Sequence, residues 1–128
     1  MGRFLLICLG GSIGTGLRYL TTIAAAQWLG AEFPYGTLIV NLVGSFVIGL
    51  VQQLGLEALA IPDDVRLFLT TGMMGGLTTY SAFSYETVRL FEADAWTQAG
   101  VNIVVTTVAS LLLCFLGIVV GRGLMVIR

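Results

Sequence analysis

Apolar residues run along this chain in four long stretches separated by three short polar connections. The first stretch, residues 4–27, is roughly 24 residues long and sufficient to span a bilayer as a helix. Arg3 and the run behind it could pass for a signal peptide, but the apolar character continues past a typical signal core and three more stretches follow. A connection with Glu32 and Pro34 leads into the next helix, over 35–56, and Pro34 suits its first turn. Residues 57–64 form a second connection, where Pro62-Asp63-Asp64 predicts a helix start with an acid at the cap and more acid in the first turn. The third stretch covers 64–91 and the fourth 96–121, with Trp96 placed as an interfacial anchor. The pattern predicts an all-α membrane protein, a single domain over 1–128 with four transmembrane helices.

The third stretch departs from a simple anchor. Between Thr70 and Glu86 it holds Gly72, Gly75 and Gly76, six Thr or Ser hydroxyls, and the rings of Tyr80, Phe83 and Tyr85. Glycine weakens a helix and hydroxyls compete for its backbone partners. From Asp64 to Met74 is about ten residues, or roughly 15 Å of helix, which is half of a hydrocarbon core. This spacing predicts a helix broken mid-membrane over 72–79 and restarted to about Phe91. A glycine-rich interruption at that depth points to a binding site in transport proteins, because irregular backbone survives there only inside protein or beside a wet cavity.

Polar residues recur within the other stretches. Gly10-Gly11-Ser12-Ile13-Gly14-Thr15-Gly16 lacks the strand and lysine of a nucleotide loop, and Gly10-xxx-Gly14 predicts close packing against another helix. Arg18 is either a functional intramembrane charge or a side chain that reaches back to the headgroups. Thr37, Asn41, Gly44 or Ser45, and Gln52 mark a line on the second helix. Asn41, between apolar neighbours, is either interhelical glue or a pore-lining donor. On the fourth helix Asn102, Thr106, Ser110 and Cys114 recur every four residues, as glue or as the wall of a conduit, and Gly117-xxx-Gly121 is a second close-packing pair.

Composition narrows the chemistry. The chain is 57% hydrophobic and 10% charged, against about 25% charged in a soluble domain. Its net charge of −1 leaves no basic surface for nucleic acid. With no His, and with all six cations Arg, histidine acid–base work, Schiff bases and His-ligated zinc are excluded. Cys8 and Cys114 sit in apolar runs without metal or redox spacing. No base stands ready to activate a nucleophile, so an enzyme is not expected. Hydrogen-bond donors outnumber deep carboxylates, which favours an anion over a cation; a small exporter of organic cations would want a buried acid, and Glu86 lies near a helix end. Tyr80 and Phe83 share a face and offer ring edges of partial positive charge. Four short helices enclose little, so a second copy is implied. Both termini fall on one side with Arg3, Arg66, Arg122 and Arg128. Arg89 lies opposite, joined by Arg18 if it snorkels that way, a bias small enough to permit both orientations.

Three segments carry a resemblance. Residues 75–86, GGLTTYSAFSYE, look like the GGxTTFSTFSxE signature of the Fluc (CrcB-type) fluoride channels. Residues 36–44, GTLIVNLVG, resemble their GTLxxNxxG segment, and residues 10–18 resemble their glycine-rich first helix with its arginine. The resemblance covers all four helices in order and implies a dual-topology antiparallel homodimer in the cell membrane with two fluoride pathways. It implies a sodium ion at the dimer centre on the carbonyls of Gly75 and Thr78. Asn41, Tyr80, Ser81 and Phe83 match pathway positions, and Thr106 and Ser110 of the fourth-helix stripe are taken with them. The implied role is passive export of fluoride for fluoride resistance.

Three positions depart from the family pattern: Tyr80 stands where Phe is usual, Ala82 replaces a common Thr, and Cys114 falls about where a further hydroxyl is expected. They leave room for an alternative, one subunit of a heteromeric pair with a paralogue, slow or non-conducting alone.

Overall fold

The computed structural model describes residues 1–56 and 61–127, and among these the only regular structure is helical. Helix α1 is Gly2–Leu29, α2 is Tyr35–Leu56, and the last helix, α6, is Trp96–Ile127. All three are long and apolar enough to cross a membrane. The third crossing comes in pieces: α3 (Asp63–Leu67), a π-helical segment (Phe68–Met74), α4 (Gly75–Leu77) and α5 (Tyr80–Glu92). The expected connection over 57–64 lies partly outside the described residues. Pro62, not an acid, is the N-cap of α3, and Asp63 and Asp64 occupy its first turn. There each carboxylate has a nearby cation: Arg3 pairs with Asp64 at 2.9 Å and Arg66 with Asp63 at 3.4 Å.

The break is narrower than the expected 72–79. Gly72, Gly75 and Gly76 stay helical, and only Thr78 (φ −83°, ψ 155°) and Thr79 (φ −154°, ψ 118°) are extended. The glycines serve a different purpose, close approach to α1. A Cβ on Gly72 would lie 3.0 Å from the Ile7 carbonyl oxygen, and one on Gly76 would collide with the Gly11 carbonyl oxygen. The fit is reciprocal, since a Cβ on Gly10 would lie 2.7 Å from the Phe68 carbonyl oxygen and one on Gly14 would collide with that of Met73. Small residues facing one another let two backbones touch, which is how helices gain dispersion contacts where lipid supplies no hydrophobic drive. Threonine is the residue suited to stopping and restarting the helix. Thr79 is the N-cap of α5, its Oγ1 accepting from the Ala82 N–H at 3.1 Å.

The second glycine pair works as expected, with α2 as its partner. Cβ atoms on Gly117 and Gly49 would strike the carbonyl oxygens of Phe46 and Cys114 respectively. The chain is thus two tightly packed pairs, α1 with the broken crossing and α2 with α6. A small core of Val40, Met74 and Leu77 joins α2 to the broken crossing just before the break.

Candidate functional site

Breaking a helix strands backbone groups, and every one must find a partner inside a membrane. In a continuous helix the Thr79 N–H would bond the Gly75 carbonyl. Here it donates instead to Asn41 Oδ1 at 2.8 Å, while Asn41 Nδ2 donates to the Thr79 carbonyl at 3.2 Å. The amide on α2 therefore grips the break from both sides. Arg18 supplies a second partner, its Nε donating to the Gly76 carbonyl at 3.0 Å, so this side chain turns inward to the break. The donor that would have served the Thr78 carbonyl, the Ala82 N–H, is taken by Thr79 Oγ1. The carbonyls of Gly75 and Thr78 are thereby left without their helical donors. Among the described residues no three Cys, Asp or Glu side chains come together. The oxygen this segment can offer a hard cation is main-chain carbonyl.

A groove of about 350 Å³ opens at the restart. Asn41 and Ser45 of α2, Thr78 and Thr79 of the break, Tyr80 and Phe83 of α5, and Thr106, Thr107, Ser110 and Leu111 of α6 line it. Phe83 is buried while Tyr80 is 80% exposed, so the phenol projects beyond the surface of a single chain. The two rings tilt at 55° with centroids 5.6 Å apart. The Ser110 hydroxyl is buried without a partner. A buried hydroxyl left unpaired is costly, and its presence in a groove calls for something to accept its proton.

Of the positions singled out from sequence, Asn41, Thr78, Tyr80, Phe83, Thr106 and Ser110 meet in this groove. Ser81 stands beside it, its hydroxyl 3.1 Å from that of Thr79. Gly75 and Arg18 do not line it; Arg18 reaches the break from α1. Ser45 was placed on the polar line of α2 without being taken as a site residue, and Thr107 lines the groove without having been singled out, because a hydroxyl adjacent to a stronger candidate carries no periodic signal of its own. A second cavity, of about 370 Å³, lies between the 30–34 loop and α5, where Glu86 Oε1 accepts from Thr37 Oγ1 at 2.8 Å.

Residues 5–118 match the family described as CrcB-like protein, Camphor Resistance (CrcB). The chain belongs to the CrcB family. Its relatives include a protein of Anaeromyxobacter sp. (strain K) named Fluoride-specific ion channel FluC, 44% identical over 124 residues, covering 97% of this chain and 98% of the relative. A protein of Sorangium cellulosum (strain So ce56) with the same name is 46% identical over 97% and 98% of the two chains. One from Clostridium perfringens (strain 13 / Type A), also of that name, is 44% identical over 88% of each. Membership of the CrcB family makes the chain a membrane protein of the channel class and not an enzyme. The groove and the grip on the break are properties of residues inside the matched span.

Proposed function

We propose that this chain is the subunit of a fluoride-selective channel that lets fluoride leave the cell passively. The observation that carries the reading is the groove at the restart: hydroxyls, an amide and two rings converge on it, the buried Ser110 hydroxyl has no partner among the described residues, and none of the described residues that line it is a carboxylate. Small anions are held by such donors and by ring edges. The end-to-end likeness to proteins named as fluoride channels supplies the identity of the anion. Asn41, Tyr80, Ser81, Phe83, Thr106 and Ser110 form the pathway wall, and no ATP or coupling ion is required.

The working unit is an antiparallel pair in the cell membrane. Its support is the exposure of Tyr80, whose hydroxyl sits on the surface of a single chain at a depth where lipid offers no partner. A sodium ion at the centre of the pair fits the main-chain oxygens of Gly75 and Thr78, whose helical donors Asn41 and Thr79 have taken. One observation favours a heteromeric pair as the second reading. Arg18 is bonded to Gly76 and drops out of the count of interfacial cations, leaving Arg89 alone opposite four at the termini, so an oppositely biased paralogue would complete the pair.

The test is fluoride efflux from liposomes containing this chain alone. Efflux selective over chloride is expected. Silence from well-folded pairs would overturn the homomeric channel, and efflux regained on adding a paralogue would establish the heteromeric one.

A further inference from the structure

Three hydrogen bonds run in series from the groove to the backbone of Phe83, and their direction is fixed by chemistry. Thr87 Oγ1 lies 2.7 Å from the Phe83 carbonyl oxygen. Two oxygens that close need a proton between them, and only the threonine has one. Thr87 has then no proton left, so the amide atom of Asn102 at 2.9 Å from its Oγ1 must be the nitrogen. Asn102 Oδ1 consequently faces Thr106, and the Thr106 hydroxyl donates to it at 3.2 Å. The members are buried, with Asn102 only 2% exposed.

We propose that Thr106, Asn102 and Thr87 form a one-way chain that positions Phe83, and that Thr106 presents only oxygen lone pairs to the groove. Thr106 is thus a positioning residue and not a donor to the anion; donation at this level falls to Ser110, whose buried hydroxyl has no partner among the described residues. The inference rests on the reading of the groove as a fluoride pathway. It gives the polar stripe on α6 two separate tasks. Asn102 and Thr106 tie α6 to the restarted helix and hold the ring that lines the groove, whereas Ser110, one turn further, meets the anion.

The distinguishing experiment measures fluoride flux against fluoride concentration in liposomes for Thr106→Val, Thr87→Val, the double variant and Thr106→Ser. Thr87 does not line the groove, so a direct-ligand role for Thr106 predicts no effect of Thr87→Val. The positioning chain predicts that each valine variant shifts the half-saturating fluoride concentration by about threefold to tenfold, the range of one buried hydrogen bond. It predicts that the double variant is no worse than the larger single one, and that Thr106→Ser, which keeps the proton, shifts the half-saturating concentration less than Thr106→Val does. Misfolding lowers only the maximum flux, so the half-saturating concentration still reports on the folded pairs; should Thr106→Val give none, Thr87→Val decides alone. Multiplying effects, or an unaltered Thr87→Val, would overturn the proposal. A folded wild type without fluoride efflux would overturn the channel reading and this inference with it.

Discussion

Asn41 commits both ends of its amide to a single residue, accepting from the Thr79 N–H and donating to the Thr79 carbonyl. That pairing makes a two-residue break in a membrane helix tolerable, because it satisfies the Thr79 N–H that the helix has abandoned and adds a second bond to the Thr79 carbonyl, which as N-cap already serves α5. Aspartate keeps the acceptor and loses the donor, and it adds a negative charge beside a groove suited to an anion. Asn41→Asp is therefore expected to cut fluoride flux at least about tenfold, the scale of a lost bond compounded by a buried charge. Size-exclusion chromatography should still show the pair; unchanged flux would move the pathway away from Asn41. The importance of this residue was legible in the sequence, since a lone amide among Leu, Ile and Val needs a partner. Its target was not, because main-chain atoms leave no mark in a sequence and glue and pore lining look alike there. Here the residue grips the break and lines the groove. Arg18 was open for the same reason: its partner is a carbonyl.

Among the elements, α1, α2 and α6 were readable from length and apolarity alone, with α2 placed at its observed bounds. The broken crossing was recognised but its break was drawn too wide, because glycine has two uses in a membrane helix. It can loosen a helix or let another backbone approach, and Gly72 and Gly76 do the second. The π-helical turns at Phe68–Met74 had no signal in residue type. They lie where the backbone rests on the Gly10 and Gly14 ridge, and π turns recur at functional sites. This packing makes a paired prediction. An alanine methyl at Gly14 has no space against the Met73 carbonyl, whereas one at Gly16 meets nothing within 4 Å. Gly14→Ala should destabilise the folded protein by about 1–3 kcal/mol, seen as a lower melting temperature in detergent, while Gly16→Ala should leave that temperature unchanged or raise it, since alanine favours helix over glycine. Equal behaviour of the two would mean that the ridge is not a packing surface.

At the scale of the whole molecule, apolar side chains face outward on every side, among them Leu5 and Leu9 of α1 and Leu111, Leu112 and Phe115 of α6. Lipid covers such surface at no cost, but it cannot serve the hydroxyl of Tyr80, so in the proposed pair the second copy lies against the face where Tyr80 projects. If that copy is inverted, the number of working pairs depends on how many chains insert each way. With Arg18 bonded to Gly76, the cation count is Arg3, Arg66, Arg122 and Arg128 against Arg89, which predicts a majority with termini inside. The minority orientation then limits the channel. Arg3→Gln with Arg122→Gln and Arg128→Gln leaves Arg66 against Arg89, and should even the populations and raise fluoride tolerance of cells that carry only this chain. Orientation can be read with a membrane-impermeant maleimide on Glu32→Cys, in a background with Cys8→Ala and Cys114→Ser. Labelling in intact cells should begin high and fall toward about half as the charge bias is removed. Labelling that falls while tolerance stays flat would mean that inverted copies do not work together, and would favour a paralogue as the partner.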